Sequence, residues 1–380
     1  MKKLLALVLA AAMSLSMVAC GGGEENNGGG EAGGGKVAII TGTVSQGEED
    51  FQAAEKMKAK YPDRVITQTY PDNFDKEIET TISNVVGLVS DPDVKVLVFQ
   101  QAVVGATAAI EKAREINPDL LVICGVAGED PGMISKAADI IVGTDEVNMG
   151  TRIVDQAKAM GAKTFVHYSF ARHLASATIN QRLQLIKARC EEVGLEFVMA
   201  DAPDPLSDVG LAGAQQFILE DVPKKVEQYG KDTAFFSTNC GLQEPLIKSV
   251  IEQGAYYPQP CCPSPYHAFP GALGIEIPAD KAGDVDYCIN QIKEKVAAKG
   301  ATGHLSTWVA PMNMSYVMGA TEYGLDWIDA GCPADARFDE EALKVAIGEA
   351  AGAPVTFTKL VVGGVEYDNY ITVLADYVTF

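Results

Sequence analysis

VAIIT (residues 37–41), KVLVF (residues 95–99) and LLVIC (residues 120–124) decide the fold. Each is apolar at consecutive positions, so each buries both faces of a strand. Helical segments separate them. Residues 48–60 place Phe51, Ala54 and Met57 on one helical face, residues 64–70 read as a strand, and residues 75–90 and 106–116 read as helices. Strands apolar on both sides and joined through helices predict a parallel sheet covered on both faces.

The alternation resumes with strand 163–167 (KTFVH), helix 179–193, strand 195–200, helix 215–229, strand 233–236 and helix 242–253. Two runs of βα units flank a crossing near residues 139–149 (DIIVGTDEVNM). They predict an α/β protein of two similar doubly wound parallel-sheet lobes joined by a hinge. The N-terminal lobe covers 36–145, with a return near 306–330. The C-terminal lobe covers 146–305 and takes the tail 331–380, extended from 355 onward. A chain of roughly 345 residues beyond the N-terminal segment exceeds what one core supports.

That N-terminal segment predicts export. Lys2 and Lys3 precede an apolar run over residues 4–18, which as a helix spans about 22 Å against about 30 Å of hydrocarbon. These are the proportions of a signal peptide (residues 1–20). Met17-Val18-Ala19-Cys20 resembles the bacterial lipobox, with Leu more usual where Met17 stands, and the resemblance implies lipidation of Cys20. Residues 21–35, nearly all Gly, Glu, Asn and Ala, have nothing to bury and are expected to be a disordered tether reaching about 20 Å. The body is expected on the outer side of the cell membrane, held by its lipid anchor.

Several motifs together resemble a known family. Asp145-x-x-x-Met149-Gly150, a helix through Ala157 to Met160, Gly161 and a strand look like the first hinge of the type I periplasmic binding proteins. Arg182, opening a helix that runs to Glu191-Glu192-Val193-Gly194, is similar to that family's arginine. Ala234-Phe235-Phe236-Ser237-Thr238-Asn239, followed by Pro245 to Gly254, resembles its strand, Asn-Asp and helix; Cys240 stands where Asp is usual. The likeness covers residues 36–254. It points to an uncharacterised lipoprotein branch of the superfamily, a domain of unknown function, with the nucleoside-binding basic membrane proteins more distant. It implies solute capture between lobes for an ABC permease or a sensory receptor.

Other classes fit poorly. A net charge of −21 repels nucleic acid. The turn after the first strand, residues 41–47 (TGTVSQG), is neither GxGxxG nor a P-loop, and Thr43 stands where a hydrolase elbow needs Gly. His167, Ser169 and His173 allow a Ser/His pair with no third member placed by spacing, so a secreted enzyme at the lobe interface is the alternative. Without Cys20, seven of eight cysteines remain, with no Cys-x-x-Cys; they read as buried, inert thiols, and neither metal nor cofactor is expected.

Ligands of open α/β sheets sit where loops converge beyond the carboxyl ends of the strands. Those loops supply Ser45, Gln46, Gln100, Gln101 and Asp145 from the first half, then Ser169, Arg172, His173, Arg182, Asn239 and His267 from the second. Amides, hydroxyls, imidazoles and guanidinium suit a small polar molecule: a sugar, a nucleoside or an amino-acid derivative. Asp145 equally caps the helix after it. Cys20→Ser should release the protein into the medium, and a labelled fatty acid should mark only the unmutated form; equal labelling of both forms removes the anchor.

Overall fold

The computed structural model describes residues 34–380. Cys20, the signal segment and the tether up to residue 33 lie outside the described residues, as do the side chains of Ser45 and Gln46. The first half runs β1 (Lys36–Thr41), α1 (Val44–Lys60), β2 (Val65–Thr69), α2 (Ile78–Val89), β3 (Val94–Gln100), α3 (Ala106–Ile116), β4 (Leu121–Gly125), α4 (Pro131–Ala137) and β5 (Ile140–Thr144). Next come α5 (Met149–Met160), β6 (Thr164–Ser169), α6 (Ala171–Leu174), α7 (Ala177–Val193), β7 (Glu196–Asp201), α8 (Gly210–Tyr229) and β8 (Thr233–Ser237). Then follow α9 (Gln243–Gln253), α10 (Phe269–Leu273), α11 (Val285–Ala298) and β9 (Ser306–Trp308). The last stretch holds α12 (Met312–Asp329), α13 (Glu340–Ala351), β10 (Val355–Val362), β11 (Val365–Ala375) and β12 (Tyr377–Thr379).

The larger sheet has the order β10-β11-β5-β4-β3-β1-β2, parallel throughout except for β10. Successive residues of its central strands serve opposite layers, as the pleat requires. Val37 and Ile39 join Ala53 and Met57 of α1 and Val317 of α12. Ala38 and Ile40 join Val85 of α2 and Ile110 of α3. The second sheet, β7-β6-β8, is also parallel, and bridges through Tyr256 and Tyr257 carry it on to the segment that becomes β9. Its order therefore repeats the 2-1-3-4-5 winding of the first sheet. Tyr168 and Phe235 pack on α8 and α9, while Phe165 and Phe236 face Ile153 of α5 and Ile186 of α7.

The tail departs from expectation. Residues 331–380 were expected with the C-terminal lobe, yet β11 pairs parallel with β5, Tyr370 opposite Ile141 through Val373 opposite Thr144. Leu343 and Ile347 of α13 join the same cluster as Val317 and Ala320 of α12. Only β12 returns, antiparallel to β9. The cause is the open edge of β5: a β-branched segment advertises a strand, whereas the edge that accepts it is set by tertiary packing. The return near 306–330 likewise begins later, since β9 extends the second sheet and only α12 covers β1, β3 and β4.

The chain crosses between the sheets after β5, after β9 and after β11, and buried polar groups tie the crossings. The Asp145 carboxylate accepts from the Asn148 backbone at 2.9 Å, Asn148 Nδ2 at 2.7 Å and Thr358 Oγ1 at 3.0 Å. Gln156 Nε2 donates to Ser306 Oγ (2.7 Å) and Thr379 Oγ1 (2.8 Å), so α5 holds both β9 and β12. Arg152 bonds the Ala375 carbonyl and Asp376 beside them. Asp145→Ala strands several donors at once and should lower the unfolding free energy of the ligand-free protein by about 2–4 kcal/mol. Urea unfolding measures it, and unchanged stability would show that the crossing does not rely on this carboxylate.

Candidate functional site

The N-terminal wall is built where β1 turns into α1 and β3 ends. Gly47, with non-helical φ/ψ inside α1, lets the chain pass close to Asp50 and Gln101; a Cβ there would stand 2.8 Å from Asp50 Oδ2 and 2.9 Å from Gln101 Nε2. Gln101 has φ +48°, a left-handed conformation uncommon for a residue with a side chain. Its Nε2 donates to Asp50 at 2.6 Å, and that of Gln100 does so at 3.1 Å. The two expected glutamines are thus brought together, but as donors to a carboxylate the sequence reading passed over. Gln100 is fully buried, and among the described residues its Oε1 has no partner. Gly125 of the neighbouring strand makes room for it, since a Cβ there would lie 1.8 Å from that oxygen.

Burial pushes Asp50 up to about 6, against the two amide hydrogen bonds. Beside it Glu49 rises to about 7, chiefly through desolvation, while its hydrogen bond from Ser264 opposes the rise. That bond joins the lobes: Ser264 Oγ, on the loop after Tyr257, donates to Glu49 of α1 at 2.6 Å.

The C-terminal wall gathers around β6 and β8. Ser169 Oγ and His173 Nδ1 both meet Thr238 Oγ1, at 2.9 and 3.0 Å, and the Phe170 ring lies tilted against that of His173, their centroids 4.2 Å apart. Burial holds His173 below the usual imidazole range, with Arg172 adding to it. Arg182 is 3% exposed, lies over the Phe236 ring at 5.7 Å, and has its nearest carboxylate, Glu146, 3.9 Å away. Among the described residues its Nε has no partner, nor does either ring nitrogen of buried His167. Desolvation, with Arg182 adding, lowers His167 to about 3, so it is neutral at physiological pH. Neither His167 nor His173 is paired with Ser169 in the manner of a nucleophile and base.

Cysteines complete this wall. Cys240 Sγ lies 3.4 Å from Cys261 Sγ and 3.7 Å from Cys262 Sγ, and the last two are 3.9 Å apart. His267 offers a ring nitrogen within 4.8 Å of the Cys240 and Cys261 sulfurs, a grouping able to hold a metal ion. Sharing hydrogen bonds with Cys261 and Cys262 holds the Cys240 thiol well below the usual range, and the same contacts push those two up, Cys262 to about 12. The reading of the cysteines as buried thiols holds for Cys124, Cys190, Cys261 and Cys288 and is corrected for Cys240 and Cys262, which are exposed. A separation of 21 residues along the chain, with α9 between, hid the cluster, and the adjacent pair Cys261-Cys262 in a proline-rich loop was its one local signal.

Other expected residues serve elsewhere. Asp145 is 4% exposed and engaged by the crossing donors. Arg172 turns outward onto Asp204, with bonds of 2.8 and 2.9 Å. Asn239 accepts from Gly241 N at 2.9 Å and so fixes the turn that carries Cys240. A groove of about 780 Å³ between α1, α11 and α12 is lined by none of the expected residues whose side chains are described.

Raised carboxylates make stability fall with pH. Folded Glu49 and Asp50 hold protons that the unfolded chain has released, so their contribution is complete at low pH and is lost between about pH 4 and pH 7. Glu49→Gln should flatten the decline over that window relative to the unmutated protein, measured as melting temperature against pH. Parallel curves would mean that Glu49 is as hydrated in the folded chain as in the unfolded one.

Two proteins of Treponema pallidum (strain Nichols), each described as "Uncharacterized protein", are 34% identical over 167 and 176 residues, 44% of this chain and 77% and 80% of their own. The crystal structure of a "Putative transcriptional regulator" from Clostridium difficile 630 superposes with a TM-score of 0.83 at 26% identity, covering 91% of this chain and 99% of that one. A sugar ABC transporter from Actinomyces odontolyticus ATCC 17982 superposes at 0.52 with 10% identity, covering 80% and 86%; this likeness is one of fold alone. The family model described as "Protein of unknown function (DUF3798)" matches residues 36–306, and the chain belongs to that family, a branch with the type I periplasmic binding protein fold.

Proposed function

We propose that this protein is a lipid-anchored receptor on the outer face of the cell membrane that closes its two lobes on a small polar ligand and serves a permease or sensory receptor. The observation that carries the reading is Arg182. A buried guanidinium with an unpartnered Nε, beside a neutral histidine whose ring nitrogens are also unpartnered, is costly unless something else supplies acceptors. A ligand with a carboxylate or several hydroxyls supplies them. On the opposite wall the orphaned Gln100 Oε1 and the Asp50 carboxylate accept from its donor end. Sugars, nucleosides and amino-acid derivatives all carry both kinds of group.

The "transcriptional regulator" description of the Clostridium difficile protein favours a second reading, a ligand-sensing regulatory domain with the same pocket. Labelling at Cys20 separates the two, because a regulator of transcription has no use for a lipid anchor.

Native mass spectrometry of protein taken from its own host should reveal a co-purified small molecule. With that molecule in hand, Arg182→Met should weaken binding by about 1–3 kcal/mol, about 5- to 150-fold. The ligand-free melting temperature should stay level or rise, since the variant removes a buried cation that lacks a close counter-charge. Lost stability with unchanged affinity would assign Arg182 to the scaffold and overturn the pocket.

A further inference from the structure

Solute capture leaves Cys240, Cys261, Cys262 and His267 unused. A disulfide joins two sulfurs and sets the third apart; here three sulfurs are spaced nearly evenly, at 3.4, 3.7 and 3.9 Å. Thiolates bound about 2.3 Å from a tetrahedral zinc stand about 3.8 Å from each other along the tetrahedron's edge. The three cysteines therefore already span most of one face of such a tetrahedron, and the His267 nitrogen lies within 4.8 Å of the Cys240 and Cys261 sulfurs but farther from that of Cys262, so it reaches the fourth position by a shift toward Cys262. We propose that Cys240, Cys261, Cys262 and His267 form a mononuclear tetrahedral site for a thiophilic cation, with zinc(II) as the reference ion.

The chemistry of the set is selective. Three soft thiolates and an imidazole favour zinc or copper(I) and offer magnesium or calcium none of the oxygen ligands they require. The supporting structure is local to the two loops. Asn239 fixes the turn under Cys240. At the base of the other loop, Gln259 accepts from Trp308 Nε1 at 3.1 Å and approaches Met149 Sδ with its Nε2 at 3.6 Å. Ser264 Oγ accepts from Tyr266 N at 3.1 Å, curling the chain so that His267 returns toward the sulfurs. The same serine reaches Glu49 across the lobes, so an ion here stiffens the loop through which the C-terminal lobe touches the N-terminal one. Exposure of Cys240 and Cys262 gives the ion a way in.

The test uses the full chain, reduced and stripped of metal, titrated with zinc against a chromophoric chelator and, separately, with cobalt(II). One equivalent should bind, and cobalt should show thiolate charge-transfer absorption with the visible bands of a tetrahedral ion. Cys240→Ser and Cys262→Ser, both at exposed positions, should each weaken zinc by about 100-fold or more, beyond the loss typical of residues that only support a ligand. His267→Gln should weaken zinc and alter the cobalt spectrum, while Cys332→Ser, in the other lobe, should change neither. Zinc should raise the melting temperature of the unmutated protein and not that of Cys262→Ser. Uptake well below one equivalent, equal affinity in all variants, or a Cys240 cross-link to Cys261 or Cys262 in unreduced protein would each overturn the proposal. The result is independent of solute capture, which is read from Arg182 and the co-purified molecule.

Discussion

A carboxylate buried without a cation persists only where hydrogen-bond donors replace its water, and Asp145 is such a group at the first crossing. Its donors come from two places far apart in the chain: Asn148, three residues on, and Thr358 of β10. Satisfying it therefore fixes the start of α5 and the seat of the last hairpin together. The Met149 amide donates to the Asp145 carbonyl, and the Asp145 amide donates to Val373 of β11, so the backbone repeats the tie. From that start α5 carries Arg152 and Gln156 to the other two crossings. The relation between the two sheets thus follows from polar groups that have no good alternative partner.

The site inherits its character from the same winding. Parallel strands of both sheets deliver their carboxyl ends, and the loops beyond them, to the space between the lobes. One wall offers carboxylates and amides, with protonation pushed upward by burial; the other offers a buried guanidinium, the neutral imidazole of His167 and thiols. A net charge of −21 describes neither wall. Surface charge is set by residues that hydrate freely, whereas the pocket is set by the few polar groups that folding strips of water. This is why bulk composition argues against a polyanionic partner but says nothing of the charge that either wall presents.

Helices and strands were legible because their signal is local. KVLVF and LLVIC are apolar at consecutive positions, and such runs bury both faces wherever they lie. Gln100 and Gln101 were legible as pocket candidates because they follow a buried strand, yet their partner Asp50 was not, since it reaches them from a helix fifty residues earlier. Arg182 carried a recognisable motif but no sign that it would be buried. The thiol cluster was least legible, because Cys240 and the Cys261-Cys262 pair look isolated along the chain and meet only when two loops fold onto one another.

The amino-acid sequence by itself determined the two βα-repeating halves, the apolar strands and the charge balance, since each depends on the side-chain period within a few residues. Tertiary structure alone decided which sheet edge took the tail, that Asp145 ties the first crossing to β10, and that three scattered cysteines and a histidine share one place. Those outcomes depend on contacts between residues distant in the chain: an open edge at β5, donors arriving from β10, and loops brought together by packing. No local pattern encodes the partner, because the free energy that selects it belongs to the assembled core.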